Sequence, residues 1–489
     1  MFSIAASYIP TGLFFCATAW LAHSAAIGQI TPASAGASPT SSGASVDSVP
    51  AWAGQRADEP IDVKAFLTSR AELRDNTAPL YLSALRLICG DLADPADAPL
   101  EAEIAQLADV EKLAAGTIAP QQIDDVLTRA AVAVDLIDTA QRKPKCVFVT
   151  GLRADSVMPH LVALQTVSRL AVLQLRQAET TGDFKQTETA VQRSLRISSD
   201  IQPRGPVVGQ LVSMAIEQKT LDSIQRLTLA DSRLTVAQVD RLMELLQTHQ
   251  RQVSERVQEG LKVEFICSRN CIEDLQTGRL TLDEIVELLG GASKSSREPV
   301  SPGPAKLNYE AEIAACNNLY QLAMAAATTP VAGPINLTEF RQELDRHKAK
   351  IDAFQLLVAS TPPAERTKLF GRAPAFTIGI WVSSVEPLIQ ANCRTAAHLA
   401  ATQMLLALRR YEIVHSRMPN SLQTAAAETI LKTVPTDPFD GQPLRWTIVA
   451  GTPTVYSVGQ DGKDDRGEAD WDFGRQPGDY RFVLPPPTH

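Results

Sequence analysis

The stretch LVALQTVSRLAVLQLRQAETTGDFKQTETAVQRSLRISSDI, residues 161–201, decides the fold class. Leu161, Leu164, Val167, Leu170, Leu173 and Leu175 recur at steps near three and four, which places apolar side chains on one face of an α-helix. Thr181-Gly182-Asp183 then interrupts the pattern. Glycine ends a helix in the left-handed conformation at little steric cost, and an aspartate carboxylate accepts the orphan N–H groups that open the next one. The period resumes with Phe184, Ala190, Val191, Leu195 and Ile197. The spacing predicts two antiparallel helices joined at Gly182-Asp183.

The same reading extends outward. Residues 207–227, VVGQLVSMAIEQKTLDSIQRL, keep the helical period, and a long polar-faced helix is predicted from Val236 to about Ile266. Runs rich in proline, glycine and serine at 290–304, 328–334 and 361–374 read as exposed connections. Residues 375–389, AFTIGIWVSSVEPLI, are apolar but interrupted by Glu386-Pro387, and too short to span a bilayer; they read as a buried helix. Cys146-Val147-Phe148-Val149 is the one strand candidate before residue 440. Of the 489 residues 45% are hydrophobic but only 5% aromatic, a balance that favours helices over sandwiches or barrels. We therefore expect a mainly α chain with a body of helical hairpins over 59–393. No repeat near the ~34-residue tetratricopeptide period recurs, so a tandem array is not indicated.

The N-terminus carries no charge before Asp47. Thr11–Ala22 has the length of a signal-peptide core, and Ser24-Ala25-Ala26 supplies small residues for cleavage. No Lys or Arg precedes that core, and the apolar character reaches from Tyr8 to Ile27, long enough for a membrane anchor. Residues 1–26 are thus expected to be a signal peptide or an anchor, and either places the bulk of the chain outside the cytoplasm, periplasmic or secreted. Residues 27–58, rich in Ser, Ala, Gly, Thr and Pro, read as a disordered linker. Of seven cysteines, six follow the leader, too few for a disulfide-built scaffold, although one or two bridges are compatible with an oxidising compartment. Cys267 and Cys271 fall on one helix face without further ligands nearby in sequence.

After Cys393 the character changes. One helix is predicted to about His415, stopped before Pro419, and a short helix starts at Asn420-Ser421-Leu422. PTDPFDG, residues 435–441, reads as a turn, and PLRWTIV (443–449) with PTVYSVG (453–459) as a β-hairpin. The order of Tyr411, Pro419, Leu422, Pro435, Asp437, Pro438, Gly441, Pro443, Tyr456, Ser457, Gly459, Asp461 and Gly462 resembles the globular head of the major pseudopilins of type II secretion systems. The likeness covers about 80 residues and implies a small α+β head, drawn at 394–489. It also implies calcium in the loop after the last strand, with Asp461, Asp464, Asp465, Asp470 and Asp472 as candidate ligands; the alternative is a solvated acidic loop without an ion. Clustered aspartates repel one another unless a cation neutralises them, and hard oxygen donors suit Ca²⁺. The chain opens with neither the prepilin-peptidase site nor the long apolar fibre helix of a true pseudopilin. As a whole it looks like helix-rich exported proteins of planctomycete type, a likeness that carries no activity with it.

Catalytic signatures are absent from the sequence: no His-Glu-x-x-His, Gly-x-Ser-x-Gly, P-loop or Gly-x-Gly-x-x-Gly. His398 and His415 read as ordinary helix residues, and Glu264, Glu273 and Asp274 as carboxylates on or beside the long helix. A net charge of −9 argues against nucleic acid as a partner. The expected function is that of an exported or membrane-anchored structural or interaction protein, without catalytic activity, whose head is stabilised by calcium. Its partner would be a protein or peptide bound through the helical body, and membrane contact would be confined to the N-terminal segment. The alternative is an envelope-polymer hydrolase with its site in a cleft of that body.

Overall fold

The computed structural model describes residues 49–68, 76–92, 99–144, 146–148, 152–153, 158, 160–231, 233–281, 284, 307–327, 336–361, 369, 373–375, 382–449, 451–467 and 478–486. The body comprises α1 (Val63–Thr68), α2 (Ala78–Cys89), α3 (Pro99–Leu107), α4 (Val110–Ala114), α5 (Pro120–Gln141), α6 (His160–Thr181), α7 (Phe184–Ile201), α8 (Val207–Ser223), α9 (Val236–Gln252), α10 (Arg256–Thr277), α11 (Tyr309–Ala327) and α12 (Thr338–Ser360). The C-terminal part adds α13 (Val385–His415), α14 (Leu422–Ala427), β1 (Arg445–Val449), β2 (Thr452–Ser457) and β3 (Tyr480–Val483). The chain is mainly α with one small antiparallel sheet.

Helices α6 and α7 form the expected hairpin. All six apolar positions of the first stripe are buried, as are Ala190, Val191, Leu195 and Ile197 of the second. Each fully buried leucine contributes about 1.5–3 kcal/mol. Gly182 takes φ +72°, and the Asp183 carboxylate accepts the Gln186 N–H at 3.2 Å. Helix α8 packs on both α7 and α13 and ends in a π-helical turn, Ile224–Thr228.

Where one helix is expected from Val236 to Ile266, two are found. Helix α9 stops at Gln252, and α10 starts at Arg256 and runs on to Thr277, where Gly278 ends it at φ +73°. Neither proline nor glycine marks the break. Burial drives it: Val253 and Arg256 both turn inward.

Cys146–Phe148 is not a strand. The Asn76 side chain takes the place of a neighbouring strand, donating to the Val147 carbonyl and accepting its N–H, both at 2.8 Å. Val149 lies outside the described residues.

The folded body begins before residue 59. Trp52 is buried, donates Nε1–H to Asn270 Oδ1 at 2.9 Å, and meets the Phe265 ring edge-on at 6.0 Å. The Arg269 guanidinium lies 4.7 Å over its ring. Residues 49–58 are therefore docked on α10, while 1–48 lie outside the described residues. The connections 290–304 and 328–334 lie outside them too, as does most of 361–374. Of 375–389, residues 376–381 lie outside, and Val385, Leu388 and Ile389 enter α13 as buried residues. No described helix is long and apolar enough to cross a membrane. Cys89, Cys146, Cys267, Cys271, Cys316 and Cys393 are thiols, buried except for the half-buried Cys267.

Helix α13, 31 residues long, runs through the position expected to divide body from head. It packs on α8, α9 and α10 of the body and on α14, β2 and β3 of the C-terminal part along one continuous length. The sheet order is β1-β2-β3, all antiparallel. The hairpin matches expectation, but β3 is unexpected: it pairs Tyr480 with Ser457, so that paired strands stand on both sides of the acidic segment. The acidic segment is an internal connection and not a terminal one.

Candidate functional site

The expected metal ligands lie in that connection, beside the sheet's outer face. Strand residues alternate faces. Trp446, Val455 and Phe482 share a register row, and Phe482 turns inward to pack its ring 5.0 Å from that of His398 on α13. The neighbouring row, Arg445, Tyr456 and Arg481, points outward. Residues 464–467 cross it. A Cβ on Gly467 would sit 2.9 Å from Thr447 Cγ2 and 3.3 Å from the Tyr456 ring, so only glycine, here at φ +71°, lets the loop lie this close.

Two buried aspartates pin the loop's ends. Asp437 accepts the Ser457 hydroxyl at 2.9 Å, the Val458 N–H at 2.9 Å and the Phe439 N–H at 3.0 Å. Burial raises its pKa against those hydrogen bonds. Asp479 accepts the Gly467 N–H at 2.7 Å and the Asp465 N–H at 3.4 Å. Its pKa is also raised, by burial first and then by the neighbouring charges of Asp464 and Asp465.

Arg445 stands among the carboxylates. Its Nη2 donates to Asp440, its Nε lies 3.1 Å from Asp464 Oδ2, and its Nη1 lies 3.6 Å from Asp437 Oδ2. Asp464 Oδ1 also accepts the Tyr456 hydroxyl at 3.2 Å and the Arg466 N–H at 2.9 Å. Arg481 Nη1 donates to the Gly467 carbonyl at 3.3 Å. Tyr456 is pushed up to about 12 by burial and by Asp464. Burial alone would lower Arg445; Asp440, Asp464 and Asp437 outweigh it and raise its pKa.

Of the five expected ligands, Asp464 is thus held in an ion pair, and Asp461 is exposed and accepts the Lys463 N–H at 3.1 Å. Asp465 is half-buried, and Asp470 and Asp472 lie outside the described residues. Among the described residues no three His, Cys, Asp or Glu side chains converge to hold an ion; two of the five expected ligands lie outside that set. Arg445 and Asp479 were not among the residues singled out from sequence. Strand alternation around Tyr456 could have flagged the arginine; nothing local marks Asp479.

A second polar centre lies inside the body, where α7, α8, α9, α10 and α13 meet. Glu217 is fully buried; Arg256 Nη1 donates to its Oε2, and His249 Nε2 lies 3.2 Å from the same atom. Arg256 Nε also donates to Asn392 Oδ1 at 2.8 Å. Burial would raise the Glu217 pKa, but Arg256 and His249 hold it down at about 2. On its other side, His249 Nδ1 lies 3.3 Å from the half-buried Ser199 hydroxyl. Hydroxyl, imidazole and carboxylate therefore stand in line. Ser199 is interior to α7, however, where neighbouring amides are spent on the helix, and its own hydroxyl reaches the Leu195 carbonyl at 3.2 Å.

The other carboxylates noted from sequence are structural. Asp274 is buried between Arg153 and Arg279. Glu264 Oε2 accepts the Val207 N–H at 3.3 Å at the start of α8, and burial pushes its pKa up to about 7. His398 lies 3.4 Å from Asp222, its pKa lowered by burial, and His415 pairs with Glu428 at 3.0 Å. Comparison of the chain with protein-family models, with curated proteins and with solved structures finds no match.

Proposed function

We propose that this chain is an exported or membrane-anchored structural or interaction protein, a helical body presenting a pseudopilin-like C-terminal head. One observation carries the reading. The sheet follows one long helix and packs on it, with the Phe482 ring on His398, and the Asp437 turn and the acidic loop are held to that sheet. That is the element order on which the resemblance rests. The body packs along the same helix through Gln218–Thr395 and Gln225–Thr402 hydrogen bonds, at 2.8 and 2.7 Å, and the Arg410–Asp240 ion pair. A helix so packed is not offered to a fibre, which favours display of the head to a protein or peptide partner over assembly into a pseudopilus. Fractionating cells that express the full chain with a C-terminal tag tests export. The tag is expected in the envelope or the medium, and N-terminal sequencing then separates cleavage near Ala26 from an intact anchor. Recovery in the cytoplasm with residue 1 intact overturns the reading.

The Ser199–His249–Glu217 line favours a second reading, the hydrolase. A fluorophosphonate that labels the wild type and spares Ser199→Ala would establish it. The first reading expects no labelling, because no free amide stands ready beside Ser199 to stabilise an oxyanion.

A further inference from the structure

We propose that Arg445 occupies, within this chain, the place of the cation that the acidic loop would otherwise require, so that the head folds without calcium and acquires a calcium site only when Arg445 is removed. The contacts of Arg445 carry the inference. One guanidinium faces three carboxylates from two segments: Asp437 and Asp440 in the turn, and Asp464 in the loop. A planar fork suits that task, since its separate N–H groups reach separate carboxylates at once. Tyr456 and Arg481, its neighbours across the sheet, donate to the same loop at Asp464 and at the Gly467 carbonyl. The outer row of three strands therefore holds the loop down by donors alone. Asp479 completes the arrangement from below by accepting the Gly467 and Asp465 N–H groups.

The same geometry says what would follow if the guanidinium were lost. Asp437, Asp440 and Asp464 would face one another without a counter-charge, and Asp437 is buried already. Grouped hard oxygen donors with like-charge repulsion to relieve are what Ca²⁺ takes, in its flexible shell of 6–8 oxygens. A methionine at 445 matches the bulk of the arginine stem and brings no charge.

Terbium luminescence sensitised through Tyr456 and Trp446, with competition by calcium, reads binding at this loop directly. Thermal melts of the full chain in millimolar calcium and in chelator read its consequence. The wild type is expected to show no calcium-competable luminescence and the same midpoint in both buffers. Arg445→Met is expected to melt lower in chelator, to regain part of the loss in calcium, and to gain calcium-competable luminescence. Arg445→Lys, which keeps the charge, is expected to stay indifferent to calcium. Calcium-competable luminescence in the wild type overturns the proposal, because the loop would then hold an ion with Arg445 in place. Arg445→Met that folds and gains neither signal overturns it from the other side. Should Arg445→Met not fold, the wild-type and Arg445→Lys measurements still decide the matter.

Discussion

Glu264 should make the protein less stable as pH rises, and Glu264→Gln should abolish the effect. Its carboxyl is half-buried on α10, where Oε2 accepts the Val207 N–H, and burial raises its pKa from 4.5 to about 7. Below pH 4.5 the group is neutral folded or unfolded and costs nothing. Between 4.5 and 7 the unfolded chain releases the proton while the folded chain keeps it, so stability falls as pH rises. The full shift corresponds to at most ~3.4 kcal/mol. Partial solvent contact, and the charge-favouring helix start it caps, bring the expected cost to about 2 kcal/mol. Glutamine keeps the acceptor for Val207 and removes the charge. Denaturant unfolding of wild type and Glu264→Gln at matched pH isolates the term, because every other titrating group cancels in the difference. The variant should match the wild type near pH 4.5, gain through pH 7 and level off about 2 kcal/mol more stable. A difference that is flat with pH, or that favours the wild type above pH 7, refutes the reasoning.

The pH dependence of Glu217 has the opposite sign: its depressed pKa contributes stability above pH 4.5 that is lost as pH falls towards 2. Glu217→Gln should cost about 3–5 kcal/mol near neutrality in denaturant unfolding, because it strands the buried Arg256; a loss below ~1 kcal/mol would show that the network relaxes around the change. Trp52→Ala removes a buried indole, its hydrogen bond to Asn270 and its contact with Arg269. It should release residues 49–58, so that trypsin cuts after Arg56 under conditions that leave the wild type whole; equal cutting of both proteins would mean that Trp52 does not hold the arm.

The hairpin at 161–201 is legible because its causes are local: an apolar stripe, a glycine at positive φ and a capping aspartate. So is the β-hairpin, whose β-rich runs flank Gly451. The break between α9 and α10 is not legible, because only the burial of Val253 and Arg256 against distant helices requires it. Cys146–Phe148 has strand composition, yet the partner that satisfies Val147 is an amide side chain at Asn76. Tyr480–Val483 hides behind a run of acids, and without it the loop reads as a tail. Trp52 sits in a run of small residues whose composition signals a linker, and one buried indole overrides that average. At the candidate site the aspartates stand out by clustering, but the arginine that meets them comes from another strand. The Glu217 centre draws on five helices, and no window of sequence contains it.

Helix α13 also determines how the molecule would answer a pull. At 31 residues it is roughly 45 Å long, with hydrogen bonds at Thr395 and Thr402 to α8 and the π-helical turn that ends it, and with Phe482 of the sheet packed on its His398. Tension applied at the C-terminus would enter the body as shear along that length, instead of concentrating at a hinge. Arg409, which donates to the Pro485 carbonyl and pairs with Glu412, ties the last strand's exit to the same helix. Under load, head and body would therefore yield in one event.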